Sequence, residues 1–500
     1  MKAFWKRLHS WCNAHEWLIF LLLLVTILRL PTLFTPHYYG DEEIYFVMGR
    51  AWSEGVPMYQ AMFDHKPPLI YILAGIARHV FWFRGMLYLS MVLHTILFWK
   101  LARKFFASVA PRMAYVSSLL FVIMTSLPLL EGNIANAELF MMLPITASLL
   151  IMWSLDTQRG TSWWLISGLI AGLGWLFKVP VVADVAALAL YFFVFRPTTV
   201  AASLKALLRP ALWIYLGGFA LPLALTFVYY HLKGHGESYL DTVLTMNLGY
   251  VSSWSTSSFD FNPLKSGLVS RGIILAAFTL LLYTLRNRLD KRLTLATLWF
   301  GFSFFGALLS GRPYPHYLQE PTVPFALLLP LIFVVQNLAS WIVIAYLSLW
   351  GLLTNQQIRF WGYPSWPLYE HFVQYATGRM SKQAYFETFD GARRNYLLAT
   401  FLNERMGEDD GLYIWGSDSA VYNLTGKLPA GGKYIVNFHV HDLKQHDYVM
   451  ANLLVSKPKY IVVLPETTDF PELFELLIND YVEVTEVEGA RVYMRMYSAL

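Results

Sequence analysis

Apolar residues in the first two thirds of this chain come in long runs rather than in alternation. Segments of roughly 17–25 residues, each long enough to cross a hydrocarbon core, recur from Trp17 to about Leu353. They fall at residues 17–34, 85–100, 113–130, 139–155, 163–177, 179–195, 211–230, 268–285, 293–309, 317–335 and 338–353. By length that predicts about eleven transmembrane helices. Between the first two, residues 41–55 and 67–83 look helical and rich in aromatic residues. Pro67 and Pro68 suit a helix start, where the missing N–H costs nothing. Both segments are read as helices lying at the membrane interface. After Gln356 the pattern changes. Residues 395–406, 447–455 and 471–478 read as helices, 412–415 and 459–464 as strands, and 481–487 with 490–496 as a closing hairpin. That is a small α/β arrangement.

Composition agrees with the runs. Hydrophobic residues make up 56% and charged residues 14%, against about 25% charged in ordinary soluble domains. Mean hydropathy is +0.44. Two regions follow: a membrane domain over residues 1–354 and a water-soluble one over 355–500. The first apolar run follows Lys2, Lys6 and Arg7 without a small-residue cleavage site after Leu30, so it reads as a signal anchor. Cys12 is the one cysteine, which excludes a disulfide framework or a cysteine zinc site.

Charge sets the direction of the passes. Lys100/Arg103/Lys104/Arg112, Arg196/Lys205/Arg209 and Arg286/Arg288/Lys291/Arg292 fall in alternate connections, which the positive-inside rule places in the cytoplasm. The net charge of +5 belongs to these loops and does not suggest nucleic acid. The opposite connections hold Asp41, Glu42, Glu43, Asp64, Glu131, Glu138, Glu237, Asp241 and Asp260, and the first of them spans residues 35–84. An odd number of passes puts the carboxy-terminal domain on that non-cytoplasmic side. The fold class expected is a polytopic α-helical membrane protein with interfacial helices in its first outer loop and a small extracytoplasmic α/β domain.

Four polar clusters fall on the outer side. They are Tyr38–Tyr45 with Asp41-Glu42-Glu43, Asp64-His65-Lys66-Pro67-Pro68, Glu131-Gly132-Asn133 with Asn136-Ala137-Glu138, and Ser310-Gly311-Arg312-Pro313-Tyr314-Pro315-His316-Tyr317. Lys178 sits at a further outer helix end. Each has a bland reading. Acids at a membrane surface stay solvated, a lone Lys66 or Arg312 is often a snorkelling anchor, the proline-rich stretches are turn chemistry, and Asn133 or Asn136 can cap a helix. His316 can simply pack against aromatic rings, and His94 reads as an interhelical hydrogen bonder. Charge near hydrocarbon is nevertheless costly, about 2.5–3.5 kcal/mol at the centre, so several such groups on one face suggest a site.

In order and placement these motifs resemble the GT-C membrane glycosyltransferases, in the branch of the protein O-mannosyltransferases and lipid A aminoarabinose transferases. The residues that carry the likeness are Asp41-Glu42, Lys66-Pro67-Pro68-Leu69, Glu131-Gly132-Asn133, Asn136-Ala137-Glu138, Pro315-His316-Tyr317 and Ala171-Gly172-Leu173-Gly174 with Lys178. The resemblance implies a sugar donor on a polyprenyl phosphate, in a cell-envelope membrane that would be the bacterial inner membrane, and an acceptor that is lipid, glycan or protein. It implies Asp41, with Glu42 beside it, as catalytic base and Lys66 as holder of the donor phosphate. Tyr45, His65, Glu131, Asn133, Asn136, Glu138, Lys178, Arg312, His316 and Tyr317 are the further substrate-binding candidates. His65 stands where some relatives carry an acid, so a divalent metal ion is left open and no other cofactor is implied.

The chemistry fits beside the resemblance. A lipid phosphate leaves an anomeric carbon as a good anion and needs cations, such as Lys66 and Arg312, rather than the second carboxyl of a glycosidase. The acceptor hydroxyl needs one base, and one in-line displacement inverts the anomeric centre. The rival reading is a transporter or flippase, which asks for midplane ionisable groups and repeated halves. Asn423-Leu424-Thr425 also matches a glycosylation sequon.

Overall fold

The structure, a computed structural model, describes residues 15–154, 160–246, 267–334, 337–467 and 469–496. Lys2, Lys6, Arg7, Cys12 and Asp260, and the last residues of the fourth and tenth predicted passes (Leu155 and Val335), lie outside the described residues. Each of the eleven apolar segments falls on a helix. The first is Glu16–Arg29, tightened into a 3-10 turn over Leu30–Phe34. Val80–Phe106, Met113–Ser126, Ala137–Ser154, Ser162–Trp175 and Val181–Leu190 follow, then Pro210–Leu232, Gly267–Leu285, Lys291–Ala307, Gln319–Ile332 and Leu338–Ile358. Among the described residues, six helical stretches are long and apolar enough to cross a membrane: Glu16–Phe34, Val80–Phe106, Ala137–Ser154, Pro210–Leu232, Gly267–Leu285 and Leu338–Ile358.

The chain divides into two compact units. One comprises Met1–Leu30, Gly85–Thr226 and Asn247–Ser365; the other comprises Pro31–Arg84, Phe227–Met246 and Trp366–Leu500.

The first unit is a helical bundle in which glycine lets backbones touch. A Cβ on Gly168 would lie 2.1 Å from the Tyr215 carbonyl, and one on Gly218 would lie 2.5 Å from the Leu165 carbonyl. Ser162–Trp175 and Pro210–Leu232 therefore cross through small residues, the usual device where lipid removes any hydrophobic drive between helices. Polar bonds add to it: Ser117 Oγ donates to the Ala326 carbonyl at 2.7 Å, and Ser148 and Ser167 share a bond of 2.8 Å. His94 Nε2 meets Thr146 Oγ1 at 2.8 Å, the interhelical bond expected for it. Asp290 and Asn337 cap the helices that follow them by accepting from Arg292 N and Ser340 N at 2.8 Å.

The second unit is built around a four-stranded sheet in the order β1-β2-β4-β3. Its strands are β1 (Leu412–Trp415), β2 (Tyr460–Val463), β3 (Tyr481–Val487) and β4 (Ala490–Arg495). β1 and β2 are apolar throughout, parallel and fully buried, as a parallel pair covered on both faces should be. Their crossover carries Ala420–Thr425, Asn437–Asp442 and His446–Ser456. β3 and β4 form the predicted hairpin, turning at Glu488 and Gly489 with φ of 47° and 79°, a primed-type two-residue turn. Trp415, Phe470, Leu473, Leu477 and Val463 fill the core, and Phe63 joins them from the Pro31–Arg84 segment.

That segment also holds the helices Gly40–Ser53 and Leu69–Ala77. They cross at glycine, since a Cβ on Gly49 would lie 2.4 Å from Gly75 N. The helix predicted over 67–83 is interrupted. Arg78 takes a left-handed conformation (φ 56°) in which its N–H returns to the Ala74 carbonyl at 2.8 Å, and a new helix starts at Val80, ahead of the expected 85.

Candidate functional site

The candidate residues divide between the units. In the second, Asp41, Glu42 and Glu43 open the Gly40–Ser53 helix, where acids are favoured by the helix dipole. Consecutive helical positions are about 100° apart, so the three acids point three ways. Glu42 accepts a bidentate bond from Arg84, with Nε at 3.0 Å and Nη2 at 2.5 Å, and both side chains are 1% exposed. Arg84 also donates to the Thr32 carbonyl at 3.1 Å and to Thr35 Oγ1. Glu43 is paired with His37 Nδ1 at 2.9 Å and accepts from Asn423 Nδ2 at 2.7 Å. Burial opposes charge on His37, but the Glu43 carboxylate overcomes it and holds the imidazole above its ordinary pKa. Asn423, the sequon asparagine, is occupied by these bonds.

Asp41 is different. Its side chain is 28% exposed, lies 3.6 Å from Lys66 Nζ and accepts from Tyr45 OH at 3.2 Å. Lys66 Nζ also sits over the Tyr45 ring, 5.0 Å from its centroid. The Lys66 backbone is pinned at both ends: its carbonyl accepts from Tyr59 OH and its N–H donates to Tyr71 OH, each at 3.0 Å. Behind it, buried Asp64 accepts from Tyr71 OH at 2.8 Å and lies 3.4 Å from Lys66 Nζ. Burial alone would raise the Asp64 carboxyl, yet Lys66, His65 and His439 hold it well below the usual range. Burial keeps His65 below its ordinary pKa against the pull of Asp64, with Lys66 acting in the same direction as burial.

In the first unit, Glu131 sits in a left-handed turn (φ 55°) and accepts from His316 Nδ1 at 2.6 Å and from His316 N at 3.2 Å. Glu138, in the first turn of Ala137–Ser154, is paired with Lys178, and His316 Nε2 lies 3.9 Å from it. Lys178 Nζ lies over the Tyr317 ring at 4.3 Å from the centroid, and His316 and Tyr317 touch edge to face. Gln319 ties this corner together by donating to the Leu130 carbonyl at 2.8 Å. Asn133, Asn136 and Arg312 are buried, and Asn136 O accepts from Leu139 N at the start of its helix. Glu131, Glu138, Lys178, His316 and Tyr317 thus form one connected group.

The family described as dolichyl-phosphate-mannose-protein mannosyltransferase matches residues 65–230. No curated protein matches the sequence. Among solved structures, ArnT from Cupriavidus metallidurans bound to undecaprenyl phosphate matches with a TM-score of 0.59 at 15% identity, covering 97% of this chain and 99% of that one. The same protein in its apo state gives a TM-score of 0.55 at 14% identity over 96% and 98%. The chain has the GT-C fold. The expected resemblance to GT-C glycosyltransferases is borne out by the family match together with this architecture. The archaeal oligosaccharyltransferase AglB from Archaeoglobus fulgidus also matches, at a TM-score of 0.45 and 14% identity over 97% of this chain and 75% of that one.

Sequence reading passed over several charged groups of this chain. Arg271, on Gly267–Leu285, is buried, donates to the Leu308 carbonyl and reaches within 3.3 Å of where a Cβ on Gly311 would stand. Asp184, on Val181–Leu190, is fully buried and accepts from Trp299 Nε1 at 2.6 Å and from Ser303 Oγ, with buried Glu320 beside it in charge interaction. The signal was present, since each is an ionisable residue inside an apolar run. His439 was not singled out either, and Asp64 was named in its cluster without a role. Asp64, His65 and His439 each offer a ligand atom, all within 4.8 Å of one another. Asp64 Oδ2 is taken by Lys66 and Tyr71, while Oδ1 faces His65 at 3.0 Å and His439 at 3.7 Å. One carboxylate and two imidazoles fit a zinc-type ion that keeps an open position, so these residues would hold a metal if one binds.

Proposed function

We propose that this GT-C chain is a glycosyltransferase that moves a hexosyl or pentosyl unit from a polyprenyl-phosphate donor to an acceptor on the non-cytoplasmic face, with inversion. The observation that carries the reading is the Asp41–Lys66 pair. Of three consecutive acids, Glu42 and Glu43 are locked in buried ion pairs, whereas Asp41 keeps an accessible carboxylate beside a buried cation. Asp41 takes the proton of an acceptor hydroxyl as its oxygen bonds to the anomeric carbon. The bond from that carbon to the phosphate oxygen breaks, and its electron pair leaves on the polyprenyl phosphate. Lys66 stabilises that anion, and Tyr45 fixes Asp41 by its hydrogen bond. In the first unit, Arg312 is assigned to holding phosphate as a cation, and buried Arg271 is a further cation of that unit. Guanidinium suits bidentate phosphate. Glu131, Glu138, Lys178, His316 and Tyr317 are assigned to substrate binding. The undecaprenyl phosphate bound by the ArnT structure is consistent with this donor class. The acceptor is lipid, glycan or protein, and the setting is a bacterial inner membrane with the sheet domain outside.

The test is polyprenyl-phosphate release from a panel of polyprenyl-phosphate sugars by wild-type membranes and by Asp41→Asn, each given a crude envelope extract as acceptor. Release from one donor, reduced by about 10²–10⁴-fold in the variant, supports both class and base. Full activity in Asp41→Asn removes the base assignment. A transporter or flippase is the second reading, favoured by buried Asp184 and Glu320 within helices. A folded wild type that releases nothing from any donor moves that reading to first place.

A further inference from the structure

A cavity of about 940 Å³ lies within the second unit, on the side of the Gly40–Ser53 helix turned away from Asp41. At 3.6 residues per turn, Tyr45 stands within about 40° of Asp41 around the helix axis, whereas Arg50, which lines the cavity, stands about 180° away. The cavity therefore belongs to neither the Asp41–Lys66 pair nor the chemistry assigned to it.

Its lining has two characters. Arg50, Arg78 and Lys382 supply cations against one acid, Glu54. His37 and His79 also line it, and His37 is already paired with Glu43. The cations are poorly answered by protein. Arg50 reaches Glu54 only at 3.8 Å and the Asn423 carbonyl at 3.4 Å, and its Nε is buried with no hydrogen-bond partner among the described residues. Arg78 is exposed and holds a left-handed conformation (φ 56°) at a helix end where glycine or asparagine is the ordinary choice. Lys382 is exposed, with Nζ over the Phe386 ring at 5.2 Å. The other character is apolar. Leu33, Phe34, Phe46, Phe81 and Trp82 complete the wall. Phe34 ends the apolar stretch Glu16–Phe34, and Trp82 lies in the first turn of Val80–Phe106 and is 63% exposed. Aromatic side chains at the end of a membrane pass mark the headgroup level.

We propose that this cavity binds an anionic phospholipid, with its phosphate on Arg50, Arg78 and Lys382 and its upper acyl chains against Phe34, Phe81 and Trp82. Both the surplus positive charge and the aromatic wall are used by such a ligand. A zwitterionic lipid leaves the charge unanswered, and a soluble anion leaves the wall unanswered. Its volume suits part of a lipid, being at the upper end of the roughly 300–1,000 Å³ of small-molecule sites. A lipid held there ties the Gly40–Ser53 helix, the end of Leu69–Ala77 and Lys382–Glu387 together through one headgroup.

The experiment is native mass spectrometry and thermal unfolding of the full chain in neutral detergent, titrated with phosphatidylglycerol, phosphatidylcholine or inorganic phosphate. Wild type should bind phosphatidylglycerol in preference to phosphatidylcholine and gain thermal stability from it, with no gain from inorganic phosphate at the same concentration. Arg78→Gly with Lys382→Ala should weaken phosphatidylglycerol binding by about 30-fold, about five-fold for each cation removed. Glycine suits the backbone at position 78, so the lipid-free variant should unfold no earlier than wild type. If the double variant fails to fold, Lys382→Ala alone, at an exposed position, reads the same selectivity. Equal binding of the two lipids, unchanged affinity in the folded variants, or equal protection by inorganic phosphate would each overturn the proposal.

Discussion

Glu42 and Asp41 are neighbours in sequence with opposite situations in the fold. The acid triplet was legible as a candidate from the sequence, because three carboxylates directly after an apolar run are unusual. Which of them is available was not legible. Arg84 reaches Glu42 from 42 residues away, and Asn423 reaches Glu43 from 380 residues away, and no local pattern encodes such partners. The same limit explains His439, whose approach to Asp64 depends on the fold alone. The Glu42–Arg84 pair gives a direct test of this difference. Both groups are 1% exposed, so removing one leaves an uncompensated buried charge, at a cost of about 3–5 kcal/mol. Glu42→Gln should therefore lower the unfolding temperature sharply, while Asp41→Asn should leave it nearly unchanged. Glu42→Leu combined with Arg84→Met should lose less stability than Glu42→Leu alone. Thermal unfolding in detergent reads all four proteins, and a Glu42→Gln protein as stable as wild type would show that the pair does not hold the helix start.

At the scale of elements, hydrophobic runs placed every long helix, because a segment surrounded by lipid must satisfy its own backbone and helix is the form that does so. The strands of the sheet were equally legible, LYIW and YIVV being short, apolar and bounded by turn residues. The short helices Trp366–Ala376 and Lys382–Glu387 were not, having neither length nor a strong apolar run. The break at Arg78 was hidden for another reason, since a left-handed cap is normally announced by glycine. Glycine does announce the helix crossing at Gly168, whose Cβ would overlap the Tyr215 carbonyl. Gly168→Leu should force Ser162–Trp175 away from Pro210–Leu232 and destabilise the protein by about 1–3 kcal/mol. Gly217, on the second of these helices, has nothing within 4 Å of its Cβ position, so Gly217→Leu should be tolerated. Equal expression and equal unfolding temperatures for the two variants would mean that this close approach is not needed.

At the scale of the molecule, composition drew a boundary near residue 354, whereas the second compact unit gathers Pro31–Arg84, Phe227–Met246 and Trp366–Leu500. Composition sees only whether a stretch is apolar, and it has no view of which distant stretch completes a core. Here Phe63, 2% exposed, lies in the sheet core with Tyr434, and its N–H donates to the Lys433 carbonyl at 2.8 Å. Glu43 and Asn423 make the second join. Residues 355–500 alone would lack both. Losing a buried Phe side chain typically costs about 3–5 kcal/mol, a large share of the roughly 5–15 kcal/mol that keeps a whole domain folded. Produced in isolation, residues 355–500 should keep helical and strand content, bind a hydrophobic dye and unfold without a sharp transition. Phe63→Ala in the full chain isolates the same contact without removing any segment, and it should make the region around Tyr434 open to protease before the rest. A sharp, cooperative unfolding of the isolated fragment would show that the sheet region closes its core without the Pro31–Arg84 segment. The ties through Phe63 and Asn423 would then serve to position the Gly40–Ser53 helix rather than to stabilise the sheet.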